Sequence, residues 1–180
     1  GYEDLFEGYN EADLHRGQIE KMLRLTVYRD FSKLYRFANV EQRKFLALYF
    51  KRYEVSVIKE CLNTVFDHRD VVLNLSIFDE FFNKHSQLDI NLLASSRTIE
   101  ELIANLKGTE YYAPLSQLAD IERPTLFDYE MTLDLYYFAQ MWKDRSKVVT
   151  KRDLEELTAA WGSKFDMLNL QWIYRFKQYY

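Results

Sequence analysis

A chain of 180 residues, 48% apolar and 17% aromatic, can bury a sizeable core, which excludes disorder. Five glycines and two prolines supply too few turns for a many-stranded β fold, so an all-α fold is expected. A formal net charge of −4, from 24 basic and 28 acidic residues, offers no global attraction for nucleic acid or an anionic membrane.

The chain opens on an acidic, aromatic stretch, Tyr2–Asn10, without a clear period. From about Glu11, apolar positions three and four apart (Ile19, Met22, Leu23, Thr26, Val27, then Phe31, Leu34, Tyr35, Phe37) predict a long helix to about Ala38. Asn39 is read as its stop and as the cap of a helix through Phe45, Leu46, Leu48 and Tyr49. A third segment, Glu54–Phe66, carries Val55, Ile58, Leu62 and Val65 on one face. Cys61 lies in this apolar run, which predicts a buried thiol in a reducing compartment; one cysteine cannot form an internal disulfide.

Asp67–Asp70 (DHRD) is a charged break, after which a helix is predicted over Val71–Phe82, ending near Asn83. A short apolar piece, Leu88–Ala94, follows. Thr98 and Glu101 form a capping-box pattern opening a helix to Leu106, with Gly108 as its close. Glu110–Ala119 is another helix, and Ile121–Pro124 a turn. Thr125 and Asp128 repeat the capping pattern before a helix with Leu133, Leu135, Tyr136, Tyr137, Phe138, Met141 and Trp142.

Thr150 and Asp153 open a helix expected to end at Trp161. Gly162 is expected to turn left-handed, and Ser163 with Asp166 to cap a separate closing helix to Tyr180. That closing helix has two apolar sides: Phe165, Leu168, Trp172 and Phe176 on one, Met167, Leu170 and Tyr174 on the other. No uninterrupted apolar run reaches the roughly 18 residues of a membrane span, and no secretory signal is evident. Tyr180 stops a helix still in phase, with neither a closing Gly nor a Pro, and the chain opens on Gly1, so a central fragment of a longer polypeptide, cut at both ends, is expected.

The first third slides onto the last. Glu20, Leu23, Leu25 and Tyr28 fall on Glu130, Leu133, Leu135 and Phe138. After a two-residue length change, Phe45, Tyr49 and Arg52 meet Leu157, Trp161 and Lys164, and Val55, Ile58 and Leu62 meet Met167, Leu170 and Tyr174. The expected organisation is therefore a first helical unit over 1–66, connecting helices over 67–124 and a second unit over 125–180. The matched stripes are expected to be buried inside their units. The Phe165, Leu168, Trp172 and Phe176 side is left to pack between units or on a partner.

Chemistry is sparse. His68 and His85, with Asp67, Asp70, Asp79 and Glu80, allow a carboxylate–histidine metal site to be drawn, but Arg69 within the cluster and the lack of ligand spacing favour solvated turns. Ser95 and Ser96 lack the context of a nucleophile elbow, and the scattered glycines form no phosphate loop. Tyr111-Tyr112 and Tyr136-Tyr137-Phe138 lack the basic groove that base stacking needs, and fit core packing or a protein interface better. No catalytic, cofactor or metal residues are assigned.

Two runs, Tyr129-Glu130-x-x-Leu133-Asp134-x-Tyr136-Tyr137-Phe138 and Phe165-Asp166-x-x-Asn169-Leu170-x-x-Ile173-Tyr174-Arg175, resemble the C subunits of the bacterial and archaeal V/A-type rotary ATPases, equivalent to the d subunits of the eukaryotic V-ATPases. Thr98–Leu115, with Glu101, Leu106, Gly108-Thr109-x-Tyr111 and Leu115, is similar to the same family. The resemblance implies similar helical units in a funnel and a non-catalytic central-stalk role, joining the rotor shaft to the membrane proteolipid ring for proton or sodium transport. It implies central-shaft and proteolipid partners and a cytoplasmic place peripheral to the membrane. The first copy departs from the pattern, with Val57 where the second has Asn169 and Asn63 where it has Arg175, so no contact residue is transferred. The competing reading is a helical-repeat protein-binding adaptor unrelated to ATPases.

Overall fold

The computed structural model describes residues 15–67 and 73–179, and every regular element among them is helical. The leading acidic stretch and the His68, Arg69 and Asp70 part of the DHRD break lie outside the described residues. Helix α1 spans Arg16–Phe37 and α2 spans Val40–Phe66. Four short helices follow: α3 (Asp79–His85), α4 (Ile90–Ser95), α5 (Ile99–Asn105) and α6 (Tyr112–Ser116). The last two elements, α7 (Leu126–Val148) and α8 (Lys151–Tyr179), form a long hairpin.

Local chemistry sets most boundaries. Asn39 Oδ1 accepts from the Gln42 N–H (2.9 Å) while Gln42 Oε1 accepts from the Asn39 N–H (3.0 Å), a reciprocal cap that starts α2. Thr125 and Asp128 do the same for α7. At α5, Thr98 Oγ1 accepts from the Glu101 N–H, but the Glu101 carboxylate takes the Arg97 N–H instead of closing the box. Gly108 turns the chain after α5 with φ 88°, a conformation cheap only for glycine.

Several predicted segments merge or shrink. The two segments expected after Asn39 form the single 27-residue α2, because nothing between Tyr49 and Glu54 breaks a helix. Of the helix predicted over Val71–Phe82, Val71 and Val72 lie outside the described residues, Leu73–Leu75 are non-helical, a 3-10 turn covers Ser76–Phe78, and α3 carries on to His85. Glu110–Ala119 resolves into α6 and a 3-10 turn over Gln117–Asp120.

The break predicted at Gly162 does not occur. Leu154, Leu157, Trp161, Phe165, Leu168, Trp172 and Phe176 follow intervals of three, four and four residues straight through it. That pattern, about 3.67 residues per turn, keeps one stripe on one face of one helix. Gly162 is thus an interior helical residue facing the Trp142 ring.

One continuous cluster of buried residues runs from Tyr28 to Trp161. Its axis is α2, which packs most extensively on α7 and also meets α1, α4 and α5. An aromatic knot closes the α1 side: Tyr28 stacks on Phe81 at 4.2 Å, and Phe31, Phe50, Tyr53 and Phe82 pack at steep angles around them. Burial raises the Tyr28 hydroxyl to about 12 and the Cys61 thiol to about 12, so the thiol stays protonated and inert.

The matched stripes fare differently. Val55, Ile58 and Leu62 are buried, whereas Met167, Leu170 and Tyr174 are 70%, 66% and 68% exposed, which corrects the expectation that both are covered. The reason is position: α2 has neighbours on both sides, and α8 packs chiefly on α7.

Replacing Gly162 with alanine places a Cβ 3.9 Å from two Trp142 ring carbons, an ordinary contact, while removing glycine's entropic cost in a helix. Gly162→Ala is expected to stabilise the chain by about 0.5–1 kcal/mol, read as a Tm rise of roughly 1–4 °C. A loss of stability in the thermal melt would show that Trp142 needs the gap.

Candidate functional site

Polar side chains on α2 reach the layers packed against it. Arg24 of α1 pairs with Glu60, Lys59 pairs with Asp134 of α7 at 2.7 Å, and Asn63 donates to Glu130 of α7 at 2.8 Å. Lys51 pairs with Glu110, whose carboxylate also accepts from the Tyr136 hydroxyl at 2.9 Å.

Within this series Glu54 is the most buried. Its carboxylate accepts from the Ser86 hydroxyl on one oxygen and from the Tyr111 hydroxyl, at 2.6 Å, on the other. Ser86 in turn accepts from the Leu88 N–H at 3.0 Å, which leaves its own proton for Glu54. One carboxylate thereby ties α2 to the α3–α4 connection and to the start of α6. Burial raises the Glu54 carboxyl above its ordinary value, partly offset by the two donors; Tyr111 is raised by burial and by Glu54.

Beside Glu54 opens a cavity of about 290 Å³ whose lining includes Lys51, His85, Ser86, Glu110 and Tyr111. His85 is not the solvated turn residue expected. Its ring packs among Tyr35 (4.7 Å), Phe31, Phe50 and Phe81, and burial lowers its pKa. Asp79 instead accepts from Asn91 at 2.8 Å, and no group of three His, Cys, Asp or Glu side chains among the described residues is placed to hold a metal ion. His68 lies outside the described residues.

The sequence offers Phe165, Leu168, Trp172 and Phe176 of the closing helix as a packing or partner surface. Phe165 lies 4.8 Å from the Phe138 ring and 6.0 Å from Trp142, Trp172 is 6.2 Å from Phe138, and Phe176 meets Phe127 at 5.4 Å, all on α7. The opposite stripe of Met167, Leu170, Ile173 and Tyr174 faces outward.

A larger apolar groove, of about 790 Å³, lies where the α1–α2 corner meets the α7–α8 corner. Sequence reasoning misses it because its walls are more than a hundred residues apart in the chain. The signal that points to it is the run of apolar residues carried by the ends of helices at both corners: Leu34 and Phe37, Phe45 and Leu46, Val148 and Val149.

Two substitutions test the Glu54 tie. Tyr111→Phe removes a donor from a buried carboxylate and is expected to cost about 1–3 kcal/mol. Because burial raises the folded-state pKa above the unfolded value, the native state holds the Glu54 proton more tightly, and its contribution declines as pH rises from about 4.5 through the raised value. Glu54→Gln cannot titrate. Urea melts across pH should therefore show the variant gaining on the wild type through that window and then levelling; a pH-independent difference would contradict the assignment.

Among the described residues no helix is long and apolar enough to cross a membrane. The sequence model of the ATP synthase (C/AC39) subunit matches residues 1–180. The C subunit of the A-type ATP synthase of Methanosarcina mazei is 28% identical over 179 residues, covering 98% of this chain and 46% of the relative. That of Methanocaldococcus jannaschii is 24% identical over 162 residues, covering 88% of this chain and 40% of the relative. No solved structure matches at comparable stringency. The chain thus spans less than half the length of these relatives. With all 180 residues matched, the sequence and its all-helical fold place the chain in the ATP synthase (C/AC39) subunit family.

Proposed function

We propose that this chain is part of a non-catalytic central-stalk component of an A/V-type ATPase, coupling the rotor shaft to the membrane proteolipid ring for ATP-driven proton or sodium transport. The observation that carries this reading is the match of the family over the whole chain. Membership also sets aside the adaptor unrelated to ATPases. In this reading the protein carries out no reaction itself and sits on the cytoplasmic side, peripheral to the membrane, held by the shaft and the ring. Torque transfer asks for stiff elements, and helices of 27 and 29 residues locked to α7 by charge pairs and aromatic rings supply them.

The Phe165, Leu168, Trp172 and Phe176 stripe is then the seam that keeps the α7–α8 hairpin rigid. The division into a first unit (1–66), connecting helices (67–124) and a second unit (125–180) belongs to the same proposal; it is supported by a pair of long helices on each side of the short ones.

The test is a pull-down of the full-length protein by its central-shaft partner. Retention is expected, and Trp172→Ala/Phe176→Ala is expected to lower the melting temperature by loosening the hairpin. A full-length protein that fails to bind any shaft component overturns the coupling role. A double variant as stable as the wild type overturns only the seam.

A further inference from the structure

His85 closes α3, and its imidazole is set among aromatic rings from three helices. Phe31 and Tyr35 of α1 lie 5.5 and 4.7 Å from it, Phe50 of α2 5.6 Å, and Phe81 of α3 itself 5.4 Å. The ring thereby extends the knot that fastens α3 to α1, beside the stack of Tyr28 on Phe81. One of its atoms does not suit these surroundings. Nε2 is shut off from solvent and has no hydrogen-bond partner among the described residues. Buried polar atoms are nearly always paired, so an orphan calls for a reason.

The orphan is tolerable in one protonation state only. A neutral imidazole with its proton on Nδ1 leaves Nε2 a bare lone pair, a modest loss. Imidazolium puts a charged N–H there with no acceptor to take it, a larger cost. An aromatic face can offset a buried cation, but the nearest ring is already taken: the Arg43 guanidinium of α2 lies 5.4 Å from the Tyr35 centroid.

The charged groups of the neighbouring elements supply no partner either. In the outer groove between α1 and α3, Arg29, Lys33 and Arg36 of α1 and Lys84 of α3 stand against one acid, Glu80. In the inner cavity, His85 shares the lining with Lys51 and Glu54 of α2 and with Glu110 and Tyr111 before α6. Both carboxylates there are engaged, Glu54 by Ser86 and Tyr111, Glu110 by Lys51 and by Tyr136 of α7.

We propose that His85 is an acid-sensitive latch between α1 and α3. Neutral, with the proton on Nδ1, it completes the aromatic knot; on taking a second proton it leaves the knot and frees the C-terminal end of α3. Ser86, the next residue, carries the hydroxyl that holds Glu54, so this end of α3 is moored by two adjacent residues whose ties respond to pH with opposite sign. The Glu54 tie weakens as pH rises from about 4.5. Burial and then Lys84 lower the His85 pKa, so its stabilisation is full above about 6.5 and is lost as pH falls through the lowered value. Acid loosens the α1 side of the joint, and alkali the α2 side.

The test uses the full-length protein with isotope-labelled histidine. The His85 ring, assigned by its absence from His85→Phe, should show the Nδ1–H tautomer by nitrogen NMR and titrate below 6.5. Amide-exchange protection factors over α3 should fall about threefold or more between roughly pH 7.5 and 5.5. His85→Phe keeps a ring in the site without a proton to gain, so its protection should stay level across that range. His85→Gln cannot be charged either and should be equally level, from a lower start, so the acid response is read from two variants of different shape. Glu54→Gln should keep the acid loss, which separates the two moorings. An Nε2–H tautomer, a midpoint at or above 6.5, or the same acid loss in both His85 variants overturns the proposal.

Discussion

Everything in this molecule depends on α2 being covered on both sides. Val57, Ile58 and Leu62 have essentially no exposure, and Phe50, Val55 and Cys61 little more. A helix apolar around so much of its girth is stable only when several neighbours share it. α7 takes one side, and α1 with the short helices takes the other. The hydrophobic term is non-directional, however, and cannot by itself set how these layers are rotated against α2. That task falls to Arg24–Glu60, Lys59–Asp134 and Asn63–Glu130, each linking α2 to a different place on its neighbours. Half-buried pairs of this kind contribute modestly to stability, and their geometry rejects slipped registers.

Glu54 carries the same logic inward. A carboxylate in a core is costly unless its oxygens are satisfied. Here the two donors come from segments that have little regular structure of their own, the α3–α4 connection and the turn before α6. The short helices are too short to hold themselves in place, since isolated helices of this length are marginal in water. Their position is set by docking to α2, and Glu54 is where that docking is directional.

What the sequence makes legible is what depends on neighbours along the chain. Asn39, Thr98 and Thr125 act within three residues of themselves, and the boundaries they mark agree with the structure. Gly108 needs only its own φ. Gly162 misleads because a glycine after an aromatic residue reads as a stop, whereas the phase of Leu154, Trp161, Phe165 and Trp172 across it reads as continuity. Two-sidedness is plain in the closing helix, yet the two-sided helix that ends up buried is α2. A pattern states which faces can be covered, not how many neighbours arrive. Glu54 is visible as an acid on the Phe50–Ile58–Cys61 face, but its donors, Ser86 and Tyr111, lie 32 and 57 residues away.

The Trp142 ring lies against α8 beside Gly162, while the Arg145 guanidinium covers it at 3.9 Å. Trp161 stacks toward Phe45, and Trp172 lies beside Phe138. All three tryptophans of the chain are therefore in the α7–α8 hairpin, while tyrosines such as Tyr28, Tyr53 and Tyr111 populate the other layers. Light absorbed at the red edge of the aromatic band is emitted from one end of the molecule only. Indole fluorescence thus serves as a built-in gauge of whether α8 is closed on α7 and on Phe45 of α2.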